Sequence, residues 1–338
     1  MPKKTILKYM HEILSYNVAG DKQYKSRYDG FNGELHFSQW FRQNKKTHLS
    51  PGGVFVPLCS GNGERTPFEN SIYLLSVPLE TKSFFIEEQF QAVSQLATQG
   101  QFLIRYAQKE QLNTWKKISI PGNCGTFVEV PFPSSLTIFS YNSSNSTFEQ
   151  ITINEFWKRT GLRSAYSDKK YIPEKIKNTY IEKLSQYEYN DILDLYVSRF
   201  TLDGLCAIHG VEGKFQRGSP LDIDCFVKGK SNQWMILEVK EKYLSKNDCF
   251  GMDTPRISSL LTLSKHFSTR AFYVVRQVDN RTDRNFIKWM WIDMLTFNEK
   301  APYNEVEGGH GMRGENTKNP TRLCDIKYFK EMKSEFTS

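Results

Sequence analysis

Two short apolar runs, PLDIDCFV at 220–227 and WMILEVK at 234–240, carry Asp222, Asp224, Glu238 and Lys240 among residues that otherwise belong in a core. A carboxylate is costly to bury unless something compensates its charge. Read as strands, the first run puts Asp222 and Asp224 on one face, and the second puts Glu238 and Lys240 on one face. The short polar turn KGKSNQ (228–233) joins them, so the two strands should pair antiparallel, with Glu238 and Lys240 across from Asp224 and Asp222. Three carboxylates offer the oxygen ligands that a hard divalent cation takes, with room for bound water. A lysine beside such a water suits metal-assisted attack of water on phosphorus. The competing possibility is a set of cross-strand salt bridges and nothing more.

The elements around these runs predict a frame for them. Ile176, Tyr180, Ile181, Leu184 and Tyr187 fall at helical spacing, and NDILDLYVSRF (190–200) reads as a second helical stretch. Strands are expected around 205–211, 221–228 and 233–239, then a helix over 254–268 with Pro255 in its first turn. RAFYVVRQV (270–278) and FIKWMWIDMLTF (286–297) follow as strands. Helix, three strands, helix, strand is the order of a compact α/β core with a mixed sheet flanked by helices. Upstream, NSIYLLSVPL and GTFVEVPF read as strands, residues 87–98 as a helix leading into a strand, and YNSSNS as the turn of a hairpin. The polar, basic stretch LRSAYSDKKYIP, closed by Pro173, predicts a boundary: residues 1–165 as a separate mixed α+β, strand-containing domain, and 170–338 as the domain bearing the acidic strands.

Composition narrows the function classes. Of 338 residues 39% are hydrophobic and 14% aromatic, enough for real cores. No apolar run approaches the ~20 residues of a membrane span, and the N-terminus lacks a signal-peptide core. The six cysteines (59, 124, 206, 225, 249, 324) show no metal-site spacing and suit reduced thiols in the cytoplasm. The net charge of +8 is divided evenly between residues 1–160 and 161–338, a balance compatible with a phosphate-lined partner. Without a P-loop, GxGxxG or HExxH pattern, neither a nucleotide cofactor nor zinc hydrolysis is expected. Weaker site candidates are His209 and His266, then Arg256, Lys265 and Arg270 on or after the 254–268 helix. Arg313, Lys318 and Arg322 lie in a Gly-rich stretch (304–330) that reads as a loop able to meet a DNA groove.

The pattern PLDIDCFV…WMILEVK resembles the active-site motif of the PD-(D/E)XK nuclease superfamily. The bare acid-x-Lys triplet recurs along the chain, but at 238–240 it follows an apolar strand and an Asp-bearing apolar strand one turn upstream. Its nearest rival, Glu80-Thr81-Lys82 with Glu69, has no paired carboxylate strand and is interrupted by Pro78. The resemblance covers about 120 residues, and Leu221 separates Pro220 from Asp222, so the literal Pro-Asp is absent. It implies Mg²⁺ held by Asp224, Glu238 and the Val239 backbone carbonyl, with Lys240 on the water side; Asp222 is the alternative principal aspartate, or else a second acid or a neighbour. The family's further acid on the preceding helix would fall at Glu182 or Glu188. A nuclease core with one appended domain and no motor implies a type II restriction endonuclease cutting double-stranded DNA as a homodimer. A resolvase or repair nuclease, and a non-catalytic DNA-binding regulator, are the alternatives.

Overall fold

The computed structural model describes residues 2–44, 48–59, 68, 70–94, 96–97, 99–121, 127–161, 169–201, 216–217, 220–228, 233–245, 247–302, 305–310 and 318–332. In chain order the first elements are α1 (Pro2–Ser15), α2 (Asp21–Asn44), β1 (His48–Pro51), β2 (Val54–Cys59), β3 (Ser71–Pro78), α3 (Ser83–Val93) and β4 (Gly100–Tyr106). Then come β5 (Lys116–Pro121), β6 (Phe127–Phe132), β7 (Thr137–Asn142), β8 (Thr147–Ile151), α4 (Ile153–Thr160), α5 (Glu174–Leu184), α6 (Tyr189–Leu195) and a π-helical turn, Tyr196–Thr201. The rest are β9 (Gln216–Arg217), β10 (Leu221–Asp222), β11 (Cys225–Lys228), β12 (Trp234–Tyr243), β13 (Cys249–Asp253), α7 (Thr254–His266), β14 (Arg270–Val278), β15 (Phe286–Asp293), α8 (Met294–Lys300), β16 (Val306–His310), β17 (Lys318–Asp325) and β18 (Lys330–Glu331).

Two compact units arise from this order: residues 1–24 with 53–222, and residues 25–52 with 223–338. The division expected between 165 and 170 falls inside the first of them, because the chain visits the second unit early, through most of α2 and β1, before returning to it after Asp222. The architecture is mixed α/β in both units, as the alternation of elements requires. Among the described residues no helix is long and apolar enough to cross a membrane.

The first unit is built on a sheet in the order β10-β2-β3-β4-β7-β8, with β9 also paired to β2. Only β3 and β4 run parallel in it, joined through α3; β7 and β8 form the hairpin that the polar turn predicts. In α1, Ile6, Leu7, Met10, Ile13 and Leu14 are buried at helical spacing. Thr152 closes a capping box with Glu155 at the start of α4, and Gly161 ends that helix at φ +61, a left-handed position that glycine takes at least cost.

In the second unit the sheet order is β1-β11-β12-β14-β15-β18. β12 and β14 are parallel, from Met235↔Arg270 to Tyr243↔Val278, and the other neighbours are antiparallel. The parallel pair needs a long crossover, which β13 and α7 supply. One face of the sheet carries the core: Leu237 and Val239 of β12 pack with Phe37 and Phe41 of α2, Val227, Phe272, Val274 and Trp289. Ring contacts at 5.4 Å (Phe37–Trp289) and 5.9 Å (Phe37–Phe41) fix that side of the helix. By strand alternation Ile236, Glu238 and Lys240 lie on the other face, where α7 supplies Arg256 to Glu238.

Three expectations about elements change. The run 221–228 is not one strand: Leu221–Asp222 pairs with β2 in the first unit's sheet, and β11 begins only at Cys225. The run 286–297 is strand only to Asp293, whose carboxylate accepts the Leu295 N–H and starts α8. Arg322, expected on a loop, sits on β17 and is 3% exposed; it donates to Asn298 and to the carbonyls of Ala301 and Pro302, tying down the end of α8.

Candidate active site

The β11–β12 register, Cys225↔Leu237 through Lys228↔Trp234, brings Asp224 to the level of Glu238. Asp224 stands just before β11, and its Oδ2 accepts the Val239 N–H at 2.7 Å. That backbone bond fixes the carboxylate against β12, and its side chain is only 2% exposed. Lys240 Nζ lies 2.7 Å from Glu238 Oε1 and 3.4 Å from Asp224 Oδ2. Asp224, Glu238 and Lys240 therefore converge as their spacing predicts. The Val239 carbonyl belongs to the strand between the last two.

Glu238 is fully buried, and Arg256 of α7 donates to its Oε2. Its Oε1, although close to the ammonium, makes no hydrogen bond of acceptable geometry. Burial pushes the Glu238 carboxyl above its ordinary value; Arg256 opposes this most, Asp224 reinforces it and Lys240 opposes it. A buried carboxylate oxygen without a hydrogen bond, beside a second carboxylate, offers two of the several oxygen ligands that a hard cation takes. Asp224 and Glu238 are the residues that would hold it.

Sequence reasoning missed Glu34. It lies on α2, and its carboxylate and that of Asp224 each offer an oxygen within 4.8 Å of the other. The neighbouring turn of α2 comes close to β12: a Cβ on Gly33 would meet Glu241 Cβ at 3.3 Å, and Asn32 donates to Glu241 Oε2 at 3.0 Å. Glu34, Phe37 and Phe41 recur at i, i+3 and i+7, so one helical face carries both the core aromatics and the acid. That periodicity is visible in the sequence. The partner strand, some 190 residues away, is not.

Asp222 closes the first unit, where Arg199 Nη1 holds its Oδ2 at 2.7 Å. Glu182 on α5 and Glu188 at the start of α6 also belong to the first unit. The rival triplet Glu80-Thr81-Lys82 lies in the turn after β3. In the second unit His266 and Lys265 end α7, and Arg270 pairs with Asp293 at 2.8 Å. His209, Arg313 and the side chain of Lys318 lie outside the described residues, as do the expected 205–211 strand and the turn at 229–232.

A second buried carboxylate on β12 has a different setting. Glu241 takes Arg276 Nη1 at 2.6 Å and Asn32 on Oε2, and Arg284 Nε at 2.5 Å on Oε1. Both of its oxygens are fully engaged, so it is a structural ion cluster with no room for chemistry.

No protein-family model, curated protein or solved structure matches the chain.

Proposed function

We propose that the second unit is a Mg²⁺-dependent nuclease site of the PD-(D/E)XK type, and that the chain cuts double-stranded DNA as a sequence-specific, type II restriction endonuclease. The observation that carries this reading is the convergence of Asp224, Glu238 and Lys240 where the start of β11 meets the middle of β12, with Lys240 Nζ 2.7 Å and 3.4 Å from the two carboxylates. Asp224 and Glu238, with the Val239 carbonyl, would hold the cation, and Glu34 adds an acid on the α2 side.

When bound, Mg²⁺ lowers the pKa of water and neutralises charge on the phosphate. Lys240, with its side chain 36% exposed beside two nearly inaccessible carboxylates, reaches from the buried acids toward solvent. There its ammonium orients a water and steadies the developing charge on the phosphodiester. The water gives up a proton as its oxygen bonds to phosphorus, the P–O3′ bond breaks, the departing O3′ takes a proton from solvent, and the products carry 5′-phosphate and 3′-hydroxyl ends. A symmetric site cut on both strands calls for two copies of the chain. The first unit then reads the DNA sequence, a base modification or an effector copy of the site.

A second reading rests on Arg256. Its pairing with Glu238 already compensates the buried charge, which suits a DNA-binding regulator that needs no cation. Purified protein incubated with long duplex DNA, with Mg²⁺ or with EDTA, separates the two. Discrete Mg²⁺-dependent fragments support the endonuclease, a smear supports a structure-directed or nonspecific nuclease, and intact DNA shifted in both lanes supports the regulator.

A further inference from the structure

We propose that Arg256 is a built-in competitor for the cation, which weakens cation binding until a phosphodiester enters the site. The inference rests on the cation-dependent reading above and adds the order in which the site fills.

Glu238 is inaccessible to solvent, and Arg256 engages its Oε2. A dication approaching Glu238 therefore meets a resident guanidinium as well as the Lys240 ammonium 2.7 Å from Oε1. Within this unit the acids around the site include Glu34, Asp224, Glu238 and Asp253, and the bases Lys240, Lys242 and Arg256. Four negative and three positive groups give a formal charge of −1. A divalent cation brings this to +1, and the single negative charge of a phosphodiester returns it to zero. With Arg256 replaced by a neutral residue, the cation alone neutralises the site. Charge left uncompensated in a buried site is costly, so cation and phosphate assist one another while Arg256 is present. The coupling is reciprocal, because it is a free energy shared by two binding events. A guanidinium also suits the second role, since its planar donors pair with phosphate oxygens once the cation has taken Glu238.

Calorimetric titration of the full chain with Ca²⁺, which takes the same oxygen ligands, tests this without reading cleavage. For the unaltered chain, adding a short duplex should tighten Ca²⁺ binding by at least about tenfold. Equal affinity with and without duplex would overturn the proposal, and this arm needs no variant. Arg256→Met should bind Ca²⁺ at least about tenfold more tightly than the unaltered chain in the absence of DNA and lose most of the coupling. Arg256→Lys keeps the charge and should retain both weak binding and coupling. Unchanged or weaker binding by Arg256→Met, or equal tightening in Arg256→Lys, would contradict the proposal while leaving the nuclease reading intact. No Ca²⁺ binding under any condition would remove the nuclease reading and this inference together.

Discussion

Glu238 and Glu241, three residues apart on β12, bury their carboxylates on opposite faces of one sheet and are compensated in opposite ways. Glu241 is enclosed by Arg276, Arg284 and Asn32 with both oxygens engaged. Glu238 has Arg256 on one oxygen and only an out-of-line Lys240 on the other. One arrangement closes a structure, and the other leaves a buried carboxylate oxygen without a hydrogen bond.

The two glutamates should therefore respond differently to the same substitution. Glu241→Gln strips the charge from a cluster holding two buried guanidinium groups and should cost roughly 3–5 kcal/mol of stability. Glu238→Gln strips the countercharge from one mostly buried guanidinium, Arg256, rather than two, and leaves a lysine that can turn to water, so it should cost less, about 2–3 kcal/mol, while abolishing cleavage. Urea unfolding of both variants beside a cleavage assay checks the contrast; equal stability losses would contradict it.

Gly52 controls where the acid stands. A Cβ at this position would press into the Ile223 backbone carbonyl and side chain, one residue before Asp224. Gly52→Ala should destabilise by roughly 1–3 kcal/mol, as overpacking does. It should also lower cleavage at temperatures where the variant remains folded, because the backbone that aims Asp224 has moved. Normal turnover with reduced stability would separate the glycine from the site.

Much of this site was legible in the sequence, for reasons that also mark the limit. Period-2 alternation and a short polar turn sufficed to place Asp224 opposite Glu238, because register in a hairpin is set locally. Asp222 was placed on the same strand by the same rule. The chain instead breaks after it, because Leu221 pairs with Phe55 of β2 in the other unit's sheet, a long-range choice that periodicity does not encode. Glu34 and the discontinuous units were missed for a related reason. Tyr24, Tyr28, Phe31 and Leu35 repeat at helical spacing and are all buried, so α2 itself was discoverable. Its placement against β12 depends on contacts with residues far along the chain.

The first unit should lose stability in acid through His11. Burial, with help from Lys177, pushes this imidazole down from 6.5 to about 4, and its Nδ1 lies 2.7 Å from the Tyr24 hydroxyl. The unfolded chain thus binds more protons than the folded one between those values, so stability falls as pH drops from 6.5 toward about 4 and levels off below. Thermal melts across that range should show the slope, and His11→Gln should flatten it. An unchanged slope in the variant would assign the effect to other groups.

Lys240 gives the most direct test of the nuclease reading. The measurement is cleavage and binding of the same duplex DNA by the unaltered chain and by Lys240→Ala, each with Mg²⁺ and with EDTA. The expected result is Mg²⁺-dependent fragments from the unaltered chain alone, a loss of at least about a hundredfold in Lys240→Ala, and DNA binding retained by both. Cleavage by Lys240→Ala at the normal rate would contradict the assignment of the site.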